Sequence, residues 1–160
     1  MARPVLIVDD DRLVLESVSD LLATNGYQAH GATDGAAALR VLERVAPGLI
    51  LLDLVMPVMN GYDFLRRFWE REDLVRIPVI VISASNVKNP VGPVEFLRKP
   101  IDPQALLVAV RARCGEPESG YVRPDLPVIP DPPAVKETPA APRRGRAGRR
   151  TPPVPGSRKQ

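Results

Sequence analysis

Short apolar runs and helical stripes alternate along the first ~115 residues, a stretch long enough to enclose a core of its own. Val5-Leu6-Ile7-Val8 is continuous, largely β-branched and halted by Asp9-Asp10-Asp11, as a strand buried on both faces would be. Leu13, Val14, Val18, Leu21 and Leu22 then recur at helical spacing. Asn25-Gly26 marks the end of that helix, with Gly at the left-handed stop position. Residues 27–31 read as a weaker strand. Asp34 caps a helix predicted over 35–45, with Ala38, Leu39 and Leu42 facing inward, and Pro47-Gly48 breaks it. Leu49-Ile50-Leu51-Leu52 is the second strong run and ends at Asp53. Met56-Pro57 and Asn60-Gly61 signal turns before a helix over 62–71 with Phe64, Leu65 and Phe68 inside. Pro78-Val79-Ile80-Val81-Ile82 ends at Ser83, and Glu95-Phe96-Leu97-Arg98 ends at Lys99-Pro100. A final helix begins with Pro103 in its first turn and reaches Cys114.

This alternation predicts a doubly wound α/β fold, a parallel sheet with helices on both faces. Ligands of such sheets sit beyond the carboxyl ends of the strands, where strand order reverses. With order 2-1-3-4-5, Asp9, Asp10 and Asp53 meet at that point, and Ser83 and Lys99 stand on the next two strands. Three carboxylates in one cleft repel unless a cation neutralises them. Oxygen ligands without His or Cys suit a hard ion, Mg²⁺ above all, because it also takes phosphate oxygens. An acid to act as nucleophile, a metal, an ammonium and a hydroxyl together suit phosphoryl transfer.

Composition then divides the chain. The hydrophobic fraction is 44% and the charged fraction 26%, both globular, yet there are 19 prolines. From Pro117 onward Pro falls at about every fourth position and large apolar residues are few. Residues 117–160 carry nine Lys or Arg against four Asp or Glu, about +5, which leaves 1–116 at about −2. The high pI therefore belongs to the tail. We expect a domain over 1–116 and a Pro/Arg-rich disordered tail over 117–160. Arg143-Arg144-Gly145-Arg146 and Arg149-Arg150 offer a basic cluster that could touch nucleic acid or an anionic surface through phosphates, although such tails are commonly just solvated. Pro152-Pro153-Val154-Pro155 favours an extended polyproline segment. The remaining ~45 residues are expected to be too few for a second folded output domain.

The single Cys114 cannot form an internal disulfide, no stretch is long and apolar enough to insert in a membrane, and the N-terminus does not read as a signal peptide. A cytoplasmic setting is expected. His30 is the only histidine, which argues against an internal phosphohistidine relay, a zinc site and a Ser-His-Asp triad. We expect Asp11 to be solvated surface or to cap the first helix, Cys114 to be inert packing and Trp69 to be partly buried.

Val8-Asp9-Asp10-Asp11, Leu51 to Pro57, Asn60-Gly61, Ile82-Ser83-Ala84 and Phe96 to Pro100 together resemble the bacterial two-component response-regulator receiver domain. The resemblance covers residues 4–114, with five motifs in family order. It implies a flavodoxin-like fold with sheet order 2-1-3-4-5. It implies that Asp53 accepts a phosphoryl group from a sensor histidine kinase or phosphotransfer protein and gates contact with a downstream protein. Asp10 and Asp53 would hold Mg²⁺ directly, Asp9 through water and Val55 through its backbone carbonyl. Ser83, the Ala84 amide and Lys99 would hold the phosphoryl oxygens. Phe96 matches the aromatic that turns inward when Ser83 moves onto the phosphate, and the Lys99-Pro100 peptide is expected to be cis.

One departure stands out. The segment between Ser83 and Lys99 contains Asn86, Asn89, Pro90, Gly92 and Pro93, which oppose a helix. The fourth helix of the family is therefore expected to be lost or cut to a single turn, and the dimerisation and readout surface it usually builds comes into question. Two other functions compete. A phosphatase or phosphotransferase with an aspartyl-phosphate intermediate would need a second acid two residues after the nucleophile, where this chain has Val55. An unphosphorylated receiver-fold scaffold would not need the acid, hydroxyl and lysine set. The expected role is signalling, with self-catalysed phosphotransfer, and not an enzyme acting on a separate substrate.

Overall fold

A computed structural model describes residues 2–84 and 92–117. The elements run β1 (Val5–Val8), α1 (Arg12–Thr24), β2 (Ala29–Ala32), α2 (Gly35–Leu42), β3 (Leu49–Asp53), α3 (Gly61–Trp69), β4 (Val79–Ser83), β5 (Val94–Arg98) and α4 (Pro103–Cys114). The five strands form one parallel sheet in the order β2-β1-β3-β4-β5, the doubly wound order expected. Strand order reverses between β1 and β3, whose register pairs Val8 with Leu52, so Asp9 and Asp53 follow on adjacent strand ends.

The continuous apolar runs are explained by two cores, one on each face of the sheet. Leu6, Val8, Ile50, Leu52, Val79 and Val81 point into a core with α2 and α3. Val5, Ile7, Leu49, Leu51, Ile80 and Ile82 point into the other, with α1 and α4. Alternate side chains along each strand thus have an apolar destination, which removes any need for polar alternation.

Helix starts follow the sequence signals. Asp11 caps α1 through Leu13 N–H, Asp34 caps α2 through Ala37 N–H, Asn60 caps α3 through Asp63 N–H and Asp102 caps α4 through Gln104 N–H. Gly26 has φ +80° after the C-cap Asn25, as the stop signal predicted.

Several boundaries shift from the sequence reading, most of them by a single residue, and three shift further. β2 begins at Ala29, because the Tyr27 N–H closes the end of α1 on the Leu22 carbonyl at 2.9 Å, while the Tyr27 hydroxyl donates to the Gly115 carbonyl at 3.0 Å. α2 ends at Leu42, although Arg44 and Val45 N–H groups still bond the Val41 carbonyl in a closing turn. α3 stops at Trp69, before Arg71.

Only residues 84–93 separate β4 from β5, and the flanking residues 84, 92 and 93 are not helical. The expected loss or shortening of the fourth helix concerns residues 85–91, which lie outside the described residues. So does the expected tail beyond Pro117, including its basic and polyproline stretches.

Candidate phosphoacceptor and metal site

The carboxyl ends of β1, β3, β4 and β5 place the acids, the hydroxyl and the lysine at one mouth. Asp9 follows β1 directly and is 2% exposed. Its Oδ1 accepts the Asp11 N–H at 2.9 Å, so the turn into α1 fixes the carboxylate. Asp53 closes β3 and is partly buried, with Oδ1 accepting the Val55 N–H at 3.2 Å. Lys99 bridges the two acids: its Nζ lies 2.9 Å from Asp9 Oδ2 and 3.3 Å from Asp53 Oδ2. Charge-assisted bonds to both acids orient an otherwise flexible side chain. The Lys99 N–H also donates to the Ser83 carbonyl at 2.9 Å, which ties the last turn of β5 to the end of β4. The Lys99-Pro100 peptide is cis, as expected.

Asp10 is exposed at the rim, and one oxygen from each of Asp9, Asp10 and Asp53 can be chosen within 4.8 Å of one another. The donor set is three carboxylates without sulfur or imidazole, which fits a hard divalent cation. Burial raises the Asp9 carboxyl above its ordinary range. The hydrogen bonds from Lys99 and Asp11 pull it back only in part, and the Asp53 charge adds to the rise. For Lys99 burial pulls downward, but the bonds and charges of Asp9 and Asp53 outweigh it and the ammonium is held above its usual value. The two directions agree physically. Asp9 is the more deeply buried partner, so it bears the larger desolvation cost.

Ser83 is partly buried at the end of β4 and Ala84 is exposed immediately after it. Phe96 lies on β5 opposite Val81 and is 45% exposed, outside both cores. The Val55 side chain is 77% exposed, leaving its loop open to solvent above Asp53. Asp11 is the helix cap foreseen for it, His30 is buried, Trp69 is partly buried and Cys114 is buried with its thiol pushed up to about 11, chiefly by desolvation.

Two backbone features of the β3–α3 loop escaped the sequence reading. Val58 has φ +67°, a left-handed conformation that a β-branched residue rarely adopts. At Gly61 a Cβ would lie 2.5 Å from the Asp53 carbonyl oxygen, so only glycine lets α3 begin this close to the acceptor strand. Asn60-Gly61 was legible as a turn, but its contact with Asp53 was not.

Residues 5–111 match the response regulator receiver domain. This chain belongs to that family. The receiver is 34% identical over 133 residues to the response regulator MprA of Mycobacterium sp. (strain KMS), covering 78% of this chain and 56% of that protein. The chain therefore spans little more than half the length of this curated relative. Among solved structures, the signal receiver domain of a signal transduction histidine kinase from Syntrophus aciditrophicus superposes with a TM-score of 0.64 at 30% identity, over 76% of this chain and 98% of that one. The receiver domain of sensor histidine kinase PA1611 from Pseudomonas aeruginosa PAO1 superposes with a TM-score of 0.65 at 25% identity, over 72% and 100%. That structure has a magnesium ion coordinated in its active site cleft. The receiver described here is a signalling domain with an acidic cluster compatible with Mg²⁺.

Proposed function

We propose that Asp53 is the phosphoacceptor and that residues 1–116 form a phosphorylation-gated receiver, with 117–160 as its tail. The observation that carries this is the Lys99 ammonium bonded to both Asp9 and Asp53 at the strand-end mouth. Such a cation, freed from one carboxylate, is available to an incoming anion beside the other. Oδ of Asp53 attacks the phosphorus of a phosphohistidine on a sensor histidine kinase or phosphotransfer protein. A P–O bond forms, the P–N bond breaks, and the imidazole leaves and takes up a proton. Lys99, the Ser83 hydroxyl and the Ala84 amide hold the phosphoryl oxygens. Mg²⁺, held by Asp10, Asp53 and the Val55 carbonyl and through water by Asp9, would supply positive charge to those oxygens.

Phe96 stands outward in the present state. When Ser83 engages the phosphoryl group, Phe96 turns toward the space Ser83 vacates and changes the surface offered to a downstream protein. The chain catalyses its own phosphorylation and turns over no separate substrate. Among the described residues no helix is long and apolar enough to cross a membrane. A cytoplasmic setting, with a phosphohistidine-bearing kinase or phosphotransfer protein as donor, suits this chemistry.

The test is incubation with acetyl phosphate or a cognate kinase and Mg²⁺, read by intact mass. A phosphoryl adduct on wild type that is absent from Asp53→Asn is expected. An unlabelled wild type, under conditions that label a control receiver, sinks the assignment. A label that survives Asp53→Asn moves the acceptor elsewhere.

A further inference from the structure

We infer that Trp69 is a positioning residue for Lys99: its indole clamps Gly92 and so anchors the start of the strand that delivers Lys99 to Asp53. The inference rests on the reading of Asp53 as acceptor. Gly92 has φ +97°, and a Cβ there would lie 2.3 Å from Trp69 Nε1 and 2.6 Å from Cε2. Two independent constraints, conformation and space, thus require glycine at this position. Backbone lies directly against the indole, two residues before β5 begins at Val94.

Elsewhere β5 is held by its ladder to β4, by the Arg113 guanidinium paired with Glu95 and by the Lys99 N–H on the Ser83 carbonyl, but none of these reaches Gly92. Among the described residues β5 is an edge strand, paired with β4 alone, and Glu95, Phe96 and Arg98 are exposed. Val94 and Leu97 are its only residues that pack against a core. The ladder to β4 sets the lateral spacing and the Glu95–Arg113 pair tethers the strand to α4, which leaves its entry to Gly92. A strand backbone is close to inextensible, so a shift at its start is carried along to its end. Its last residue, Arg98, immediately precedes Lys99.

Trp69 is itself braced. Its ring meets Phe68 edge-on with centroids 4.8 Å apart, and Phe68 stacks on Phe64 at 5.6 Å. Phe64 and Phe68 are fully buried, and α3 begins at Gly61 against the Asp53 carbonyl. The contacts close a ring: Asp53 to Gly61, along α3 to Trp69, across to Gly92, along β5 to Lys99, and back to Asp53 through the 3.3 Å ion pair. The ring fixes the distance between acceptor and cation from two sides. A Trp serving only as apolar cover would affect stability without singling out Lys99.

The experiment uses the full chain with phosphoramidate as donor, and calorimetric titration with Mg²⁺. Trp69→Ala is expected to lower the labelling rate at saturating donor about tenfold, because a misplacement near 1 Å is enough to do so. The Mg²⁺ dissociation constant should stay within about twofold, since the metal ligands end or follow β1 and β3 and none lies on β5. In a Lys99→Ala background the same change should cost nothing further, the mark of two residues acting as a unit. Should Trp69→Ala fail to fold, Gly92→Ala, which removes no core side chain, carries the same three measurements. Labelling of Trp69→Ala at the wild-type rate overturns the clamp, as does a loss that adds fully to that of Lys99→Ala while Mg²⁺ binding weakens in parallel. An unlabelled wild type instead removes the reading of Asp53, and this inference with it.

Discussion

Asp9 and Lys99 share an ion pair but not its cost. Lys99 keeps a quarter of its side chain in solvent while Asp9 keeps 3%. Ionised Asp9 is therefore disfavoured in the folded chain relative to the unfolded one. A carboxyl raised on folding adds stability below its unfolded value of 3.8, and that stability is lost as pH rises through the higher folded value. Without metal, Asp9→Asn should thus melt above wild type at pH 7, and the gap should close as pH falls toward 4, by calorimetry in EDTA. A lower melting point at pH 7 would mean that the bond to Lys99 outweighs the burial. Cys114 presents the same sign at the alkaline end. Its thiol, raised from 9.0 to about 11, stays protonated in the fold. At pH 8 a disulfide reagent should modify it about 100-fold more slowly than in urea, from the thiolate fraction alone. Relative to Cys114→Ala, wild type should lose about 3 kcal/mol as pH rises from 9 through 11, measured by denaturant unfolding.

The loop joining β3 to α3 holds the strain of the molecule at one element. Left-handed backbone costs an ordinary residue about 1–2 kcal/mol, and Val58 is 89% exposed, so packing offers nothing in return. Asn tolerates this conformation, so Val58→Asn should stabilise the chain by about 1 kcal/mol in urea unfolding. The neighbouring position runs the other way. Gly61→Ala forces a methyl onto the Asp53 carbonyl and should cost about 1–3 kcal/mol, while also slowing labelling of Asp53 because α3 must withdraw from the acceptor. A stable, fully labelled Gly61→Ala would show that α3 can shift without moving Asp53. Elsewhere the elements follow local rules: the four described helices start on Asp or Asn caps, of which Asp11 and Asp34 were read as caps from the sequence, and the strong apolar runs become β1, β3 and β4.

At the scale of the whole molecule, fold and site are coupled through charge. The sheet order brings three acids to one mouth, and the fold bears their repulsion. A cation that binds only the folded chain should return stability, by about 2.7 kcal/mol at a hundredfold excess over its dissociation constant. Mg²⁺ should therefore raise the melting temperature of wild type, and Asp53→Asn should remove most of that rise. An equal rise in both proteins would locate the ion away from this mouth.

By itself the sequence determined which residues are chemically competent and which elements carry them. Val8 to Asp10, Leu52-Asp53 and Ile82-Ser83 are readable because an apolar run that stops at a polar residue marks a strand end whatever lies around it, whereas Lys99-Pro100, two residues past Leu97 in a mixed run, is readable from its motif. The alternation of strands and helices predicted a parallel sheet, and the family resemblance its order. What tertiary structure alone decided lies in contacts between residues far apart in number. The unequal burial of Asp9 and Lys99, the approach of Gly61 to the Asp53 carbonyl, the exposure of Phe96 and the seat of Gly92 on Trp69 follow from how helices pack on the sheet. Residue order records hydrophobicity and turn chemistry, which act over a few positions. Burial and steric contact depend on elements that meet only when the chain has folded.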